Sequence, residues 1–123
     1  MEQNAATRIL LRIQKENNLN LVSCDDAPHP INKGHHVYSI GMGIEGITLR
    51  FQNGPRNEPE SERGILDTDL LEIVRDRLIS FQAGPYATRE NALALTHLEE
   101  ALLWMNKRVS ERAASGTLGT NKI

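Results

Sequence analysis

The pattern between Thr88 and Ala113 constrains this chain more than any other. Asn91, Leu95, Leu98, Leu102, Met105 and Val109 recur at spacings of 4, 3, 4, 3 and 4. That period draws one continuous stripe along an α-helix, with Thr88 well suited to cap its start. Ala94 and Ala101 broaden the stripe, whereas Leu93, Leu103 and Trp104 fall outside it. One partner helix can cover one stripe but not all sides of this helix. The extra apolar positions require a sheet or a second copy of the chain, and small residues on the flank would let another helix come close. Self-association is therefore expected.

The partner helix is read from Asp67 to about Ser80. Asp67 would cap it, Asp67 and Asp69 suit its positive end, and Leu70, Leu71, Val74 and Leu78 would be its buried face. Ala83-Gly84-Pro85 stops it. Upstream, Gln52 to Gly64 (QNGPRNEPESERG) has the composition of a surface loop and marks a seam. Thr7 to Gln14 and Leu19 to Cys24 read as strands joined by a turn at Lys15 to Asn18, with a helix over Thr7 to Asn17 as the competing assignment. After a Pro- and Gly-bearing loop over Asp25 to Gly34, Val37 to Ile44 alternates with the period of a half-buried strand. Tyr38, Ile40, Met42 and Ile44 fall on one face, and Glu45-Gly46 would turn the chain into a last strand at Ile47 to Phe51. The expected fold is α+β and homo-oligomeric. A small N-terminal antiparallel β-sheet (1–51) and a connecting loop (52–64) precede a C-terminal two-helix antiparallel hairpin (65–123), whose tail from Ser115 is ordered only if docked.

Composition narrows the function. A chain of 123 residues makes one domain, or a small one with an appendage. A net charge of −2 argues against a general DNA or RNA binder, which would show a strongly basic face. It leaves room for a compact phosphate-bearing ligand, and ten of the fourteen cations are Arg, whose planar fork suits phosphate. No run approaches the ~18 apolar residues of a membrane span, and MEQNAATR lacks the pattern of a secretory signal. Cys24 is the one cysteine, so an internal disulfide is excluded. A cytoplasmic home is expected. Catalytic signals are weak: His29, His35 and His36 sit in a loop and read as solvated, and no zinc-hydrolase spacing or nucleophile elbow occurs. Glu99 and Glu100 point about 100° apart and are expected to face solvent. No catalytic group, metal or cofactor is expected.

Trp104, Arg108 and Arg112 step by four along one side of the long helix, with His97 and Ala101 continuing the line. An indole followed by two guanidiniums can serve a base and its phosphates. Equally, Trp104 could pack under the sheet while the arginines pair with Glu111 or with another chain. Asn91 lies in the first turn of that helix, where it either fixes helix pairing or reads a ligand; Arg89 and the free N–H groups of the turn would help hold an anion. Phe81 is either a surface at the connecting turn or the last core residue of the first helix.

Several segments together resemble the helical-hairpin domain shared by phage anti-Thoeris and anti-CBASS sponges. They are Phe51 to Pro55 (FQNGP), Phe81 to Pro85 (FQAGP), Arg89 to Ala92 (RENA) and Leu98 to Trp104 (LEEALLW), followed by Arg108, Arg112 and Gly119-Thr120. The resemblance runs in order over about the last 70 residues. Its departures are Thr88, where the family often has Cys, and the tail SGTLGT in place of a commoner RGVEGT. An N-terminal β-sheet places the chain with the anti-Thoeris branch. The resemblance implies binding of a cyclic ADP-ribose isomer made by TIR-domain enzymes, in symmetric homo-oligomers with pockets between subunits. In some members it implies a second type of site, for cyclic di- or trinucleotides. Carried over by position, it implies a ligand set of Arg56, Phe81 as a stacking surface, Asn91 for polar contacts, and Arg108 and Arg112 for the pyrophosphate. Arg89 and Trp104 are weaker candidates.

Overall fold

The computed structural model describes residues 9–10 and 20–120. The expected turn at Lys15 to Asn18 lies outside them, as do most of the first strand and of the helix that competes with it. Four strands, β1 (Ile9–Leu10), β2 (Leu21–Cys24), β3 (Val37–Met42) and β4 (Glu45–Arg50), form one antiparallel sheet in the order β1-β2-β3-β4. Two helices follow, α1 (Asp67–Gln82) and α2 (Arg89–Ser115), packed on each other as a hairpin. The α+β fold expected from the sequence is the fold observed.

The chain divides into two compact units. The sheet unit holds residues up to Gly54 together with Ser61–Gly64; the helical unit holds Pro55–Glu60 and everything from Ile65 onward. Among the described residues of the sheet unit, Cys24 and Ser23 are the buried ones, and Tyr38 meets Phe51 edge-on at 5.4 Å between ring centroids. Asp25 accepts hydrogen bonds from Ser23 (2.9 Å) and Ser39, tying β2 to β3 by side chains as well as backbone.

The β3–β4 turn differs from the sequence expectation. Met42 pairs with Glu45, so the two-residue loop is Gly43-Ile44 rather than Glu45-Gly46. Gly43 has φ +72, the conformation a type II′ hairpin assigns to a glycine at its first loop position. Ile44 consequently leaves the strand and stands fully exposed at the tip.

In the helical unit, Leu66 rather than Asp67 occupies the N-cap of α1. Leu66 has no side-chain acceptor, and Asp69 instead accepts the Leu66 N–H at 2.8 Å. Thr88 caps α2 as expected, its Oγ1 accepting from the Asn91 N–H at 3.0 Å. Gln82 and Thr88 clasp the hairpin tip through two bonds of 3.0 Å: the Gln82 amide donates to the Thr88 carbonyl and its oxygen accepts the Thr88 N–H. Gly116, left-handed at φ +78, ends α2.

The inner face of α1 is a second correction. Leu71, Arg75 and Leu78 are half-buried along it, while Val74 is exposed. Arg75 Nε meets Glu99 Oε2 at 2.8 Å across the hairpin, so Glu99 is a half-exposed, paired carboxylate rather than a free one; Glu100 stays exposed. Neither helix contains a fully buried residue.

Candidate functional site

The expected site residues fall in two groups along the hairpin, with Trp104 in the middle of α2. Phe81, Arg89 and Asn91 lie at the tip, fixed by the Gln82–Thr88 clasp. Phe81 is 41% exposed, with the Arg77 guanidinium 5.3 Å from its ring centroid. It is therefore not the closed core residue that one sequence alternative required. Arg77 escaped the sequence analysis, although its position one turn before Phe81 placed both on one face. Asn91 is half-buried on the stripe, and Arg89 is exposed. Because Thr88 Oγ1 takes the Asn91 N–H, the remaining donors of that turn are the N–H groups of Arg89 and Glu90. The Glu90 carboxylate beside them weakens the turn as an anion site.

Arg108, Arg112 and Arg56 lie toward the opposite end. Trp104 is 64% exposed. Arg108 is exposed and enters no ion pair among the described residues, whereas Glu111 pairs with Lys107. Arg112 has a structural partner that its spacing did not reveal: Nη2 donates to the carbonyls of Thr117 (2.7 Å) and Thr120 (3.1 Å). It thereby folds the segment after Gly116 back on α2. That segment in turn receives the Asn57 N–H at the Gly119 carbonyl, 3.1 Å. Arg56, adjacent to Asn57, is thus delivered to the Arg112 end; it is exposed and engaged in an interaction of its own.

Asn91 and Arg108 are seventeen residues apart on the continuous α2. At 1.5 Å per residue this is about 26 Å. One chain gathers Phe81 with Asn91, and Arg56 with Arg112, but does not bring the two groups together.

On another side of the hairpin, an open groove of about 610 Å³ runs past Arg75, Glu99, Leu103 and Val109. It holds none of the expected ligand residues. In the sheet unit, ligating atoms of Cys24, Asp26 and His35 lie within 4.8 Å of one another, although no metal was expected from the sequence. The thiol and His35 Nδ1 both engage the Asp26 carbonyl, at 3.3 and 2.7 Å, so a cation would have to displace both contacts. Burial pushes the Cys24 thiol pKa up, which keeps it protonated and a poor ligand. The other loop histidines stitch the turn: His29 Nδ1 accepts from the N–H groups of Ile31 and Asn32, and His36 Nε2 meets Asn32 Oδ1.

Residues 44–110 match the model of the Acb2/Tad1 hairpin domain. The chain is also 45% identical over 75 residues to Thoeris anti-defense 1 of Bacillus phage SBSphiJ7, an alignment covering 61% of this chain and 52% of that protein. The chain thus spans about half the length of the curated relative it matches. With more than half its residues in the matched hairpin, the chain belongs to the Acb2/Tad1 hairpin-domain family.

Proposed function

We propose that this protein is a phage anti-defence sponge, a homo-oligomer that sequesters a cyclic ADP-ribose isomer in the host cytoplasm without degrading it. The named relative, an anti-Thoeris protein, supports the signal class. The separation along α2 supports the architecture most directly. A compact cyclic nucleotide cannot span about 26 Å, so it touches both residue groups only when the tip of one copy meets the arginine end of another. Phe81 and Asn91 would then serve the base and ribose, and Arg56, Arg108 and Arg112 the pyrophosphate, with Arg89 and Trp104 at the margins. In this proposal residues 65–123 carry oligomerisation and ligand, residues 1–51 form the sheet, and residues 52–64 connect them and supply Arg56.

The exposed apolar side chains of the helical unit support a second copy. Leu103 is 70% exposed, Trp104 64% and Ile73 59%, on helices with no fully buried residue. Sequestration requires affinity that outcompetes a receptor, near nanomolar or about −12 kcal/mol. Aromatic stacking at ~1–3 kcal/mol per base and several charge-assisted bonds approach that in a closed pocket. Light scattering at micromolar concentration tests the assembly; a 13.8 kDa particle would refute it.

The decisive experiment mixes purified protein with the cyclic ADP-ribose isomer, removes free signal, heats the complex and analyses what is released. Intact signal means sequestration. Altered product means an enzyme, and no withdrawal of signal means an oligomerising structural protein. Cyclic di- and trinucleotides run in parallel establish whether they bind instead or in addition.

A further inference from the structure

One cleft in the sheet unit combines charges that its surroundings do not neutralise. It measures about 240 Å³ and is walled by His36 and Val37 before and in β3, Arg50 and Phe51 at the end of β4, and Glu62 and Arg63 on the returning segment. Backbone contacts hold all three walls. Val37 pairs with Arg50 in the ladder, and the Phe51 N–H donates to the His36 carbonyl at 2.8 Å. Asn53 and Glu62 exchange backbone bonds of 3.0 and 2.9 Å, and the Gly64 N–H donates to Gln52 Oε1 at 3.2 Å. Gly64 allows this approach because a Cβ there would stand 2.4 Å from the Phe51 carbonyl carbon. Arg63 is therefore carried between two fixed neighbours.

Among the described residues neither Arg50 nor Arg63 enters an ion pair or side-chain hydrogen bond. Glu62 is the one carboxylate of the cleft, and its Oε1 accepts from Asn53 Nδ2 at 3.4 Å. Two arginines thus share the cleft with one carboxylate in a chain whose net charge is −2, so the excess is local. Guanidinium forks match phosphate oxygens. The volume lies below the ~300–1,000 Å³ of pockets that enclose a drug-sized ligand. A phosphoryl or pyrophosphoryl group fits better than a whole nucleotide.

We propose that this cleft is an anion site, taking the phosphomonoester or pyrophosphate group of a small metabolite between Arg50 and Arg63. None of its residues is among those proposed to hold the cyclic ADP-ribose isomer, and the site does not depend on the sponge function. The test is a calorimetric titration with inorganic pyrophosphate at low ionic strength, on the parent, Arg108→Ala, Arg50→Gln/Arg63→Gln and Glu62→Gln. A binding component should persist in Arg108→Ala and weaken at least about tenfold in the double variant. It should tighten in Glu62→Gln, where an opposing charge is removed and the Asn53 contact kept. That gain cannot arise from misfolding, so it decides the matter even where circular dichroism shows the double variant unfolded. Absence of binding in the parent, loss of the component in Arg108→Ala, unchanged binding in a folded double variant, or no gain in Glu62→Gln would each overturn the proposal.

Discussion

Arg108 and Arg112 stand on successive turns of α2, and the structure separates their roles. Arg112 spans the return of the chain through Nη2, with bonds of 2.7 and 3.1 Å to the Thr117 and Thr120 carbonyls; no comparable contact engages Arg108 among the described residues. A hydrogen bond to a charged group contributes ~1.5–3 kcal/mol, but Arg112 is half-exposed and water competes for both carbonyls. About 1–2 kcal/mol for the pair is a reasonable total after that discount. Arg112→Ala should therefore lower Tm by about 4–8 °C in a chain of this size. Arg108→Ala should leave Tm unchanged or slightly raised, since Ala is the better helix former. In a titration with the cyclic ADP-ribose isomer, each should lose about 10- to 150-fold in affinity, and the Lys variants should recover only part, lacking the fork. Paired melts and titrations distinguish the two effects. An Arg112→Ala protein that melts with the parent refutes the strut, and undiminished binding by Arg108→Ala removes that residue from the pocket.

Three further outcomes are expected. Phe81→Ala should cost about 1–2 kcal/mol of stability, well short of the ~3–5 kcal/mol of a closed core site, while ligand affinity falls at least about tenfold; a core-sized loss in the melt with affinity intact would return Phe81 to the core. A double-mutant cycle on Arg75→Ala and Glu99→Ala should give a coupling of about 0.5–1 kcal/mol, because both side chains are 41% exposed and screened; zero coupling would reduce the contact to an incidental surface pair. Cys24, 2% exposed, should react with iodoacetamide far more slowly in the native protein than in denaturant. Because burial raises its pKa, the neutral thiol's contribution to stability is complete below the ordinary thiol value of about 9.0 and is lost as pH rises through the higher folded value. Melts between pH 7 and 10 should show that decline, and Cys24→Ala should flatten it.

Periodicity by itself located β3 and α2. Alternation over Val37 to Met42 and the 4-3-4-3-4 stripe of α2 follow from backbone geometry that any partner must respect, and the Thr88 cap is equally local. The place of Asn91 in the first turn of α2 followed in the same way from its distance to the Thr88 cap, whereas Phe81 stayed open between a turn surface and a core position until the fold left it 41% exposed. What lay beyond one element was decided by contacts. The β3–β4 turn moved to Gly43-Ile44 because a left-handed glycine, and not composition, sets hairpin register. On α1 the periodic pattern put Val74 on the buried face, whereas the fold half-buries Arg75 there, paired with Glu99 of the facing helix. The structural contacts of Arg112 were hidden because its partners, the Thr117 and Thr120 carbonyls, become neighbours only after Gly116 turns the chain back on α2. Sequence spacing reports which side chains share a face; which of them are already occupied depends on backbone acceptors that only the folded chain delivers.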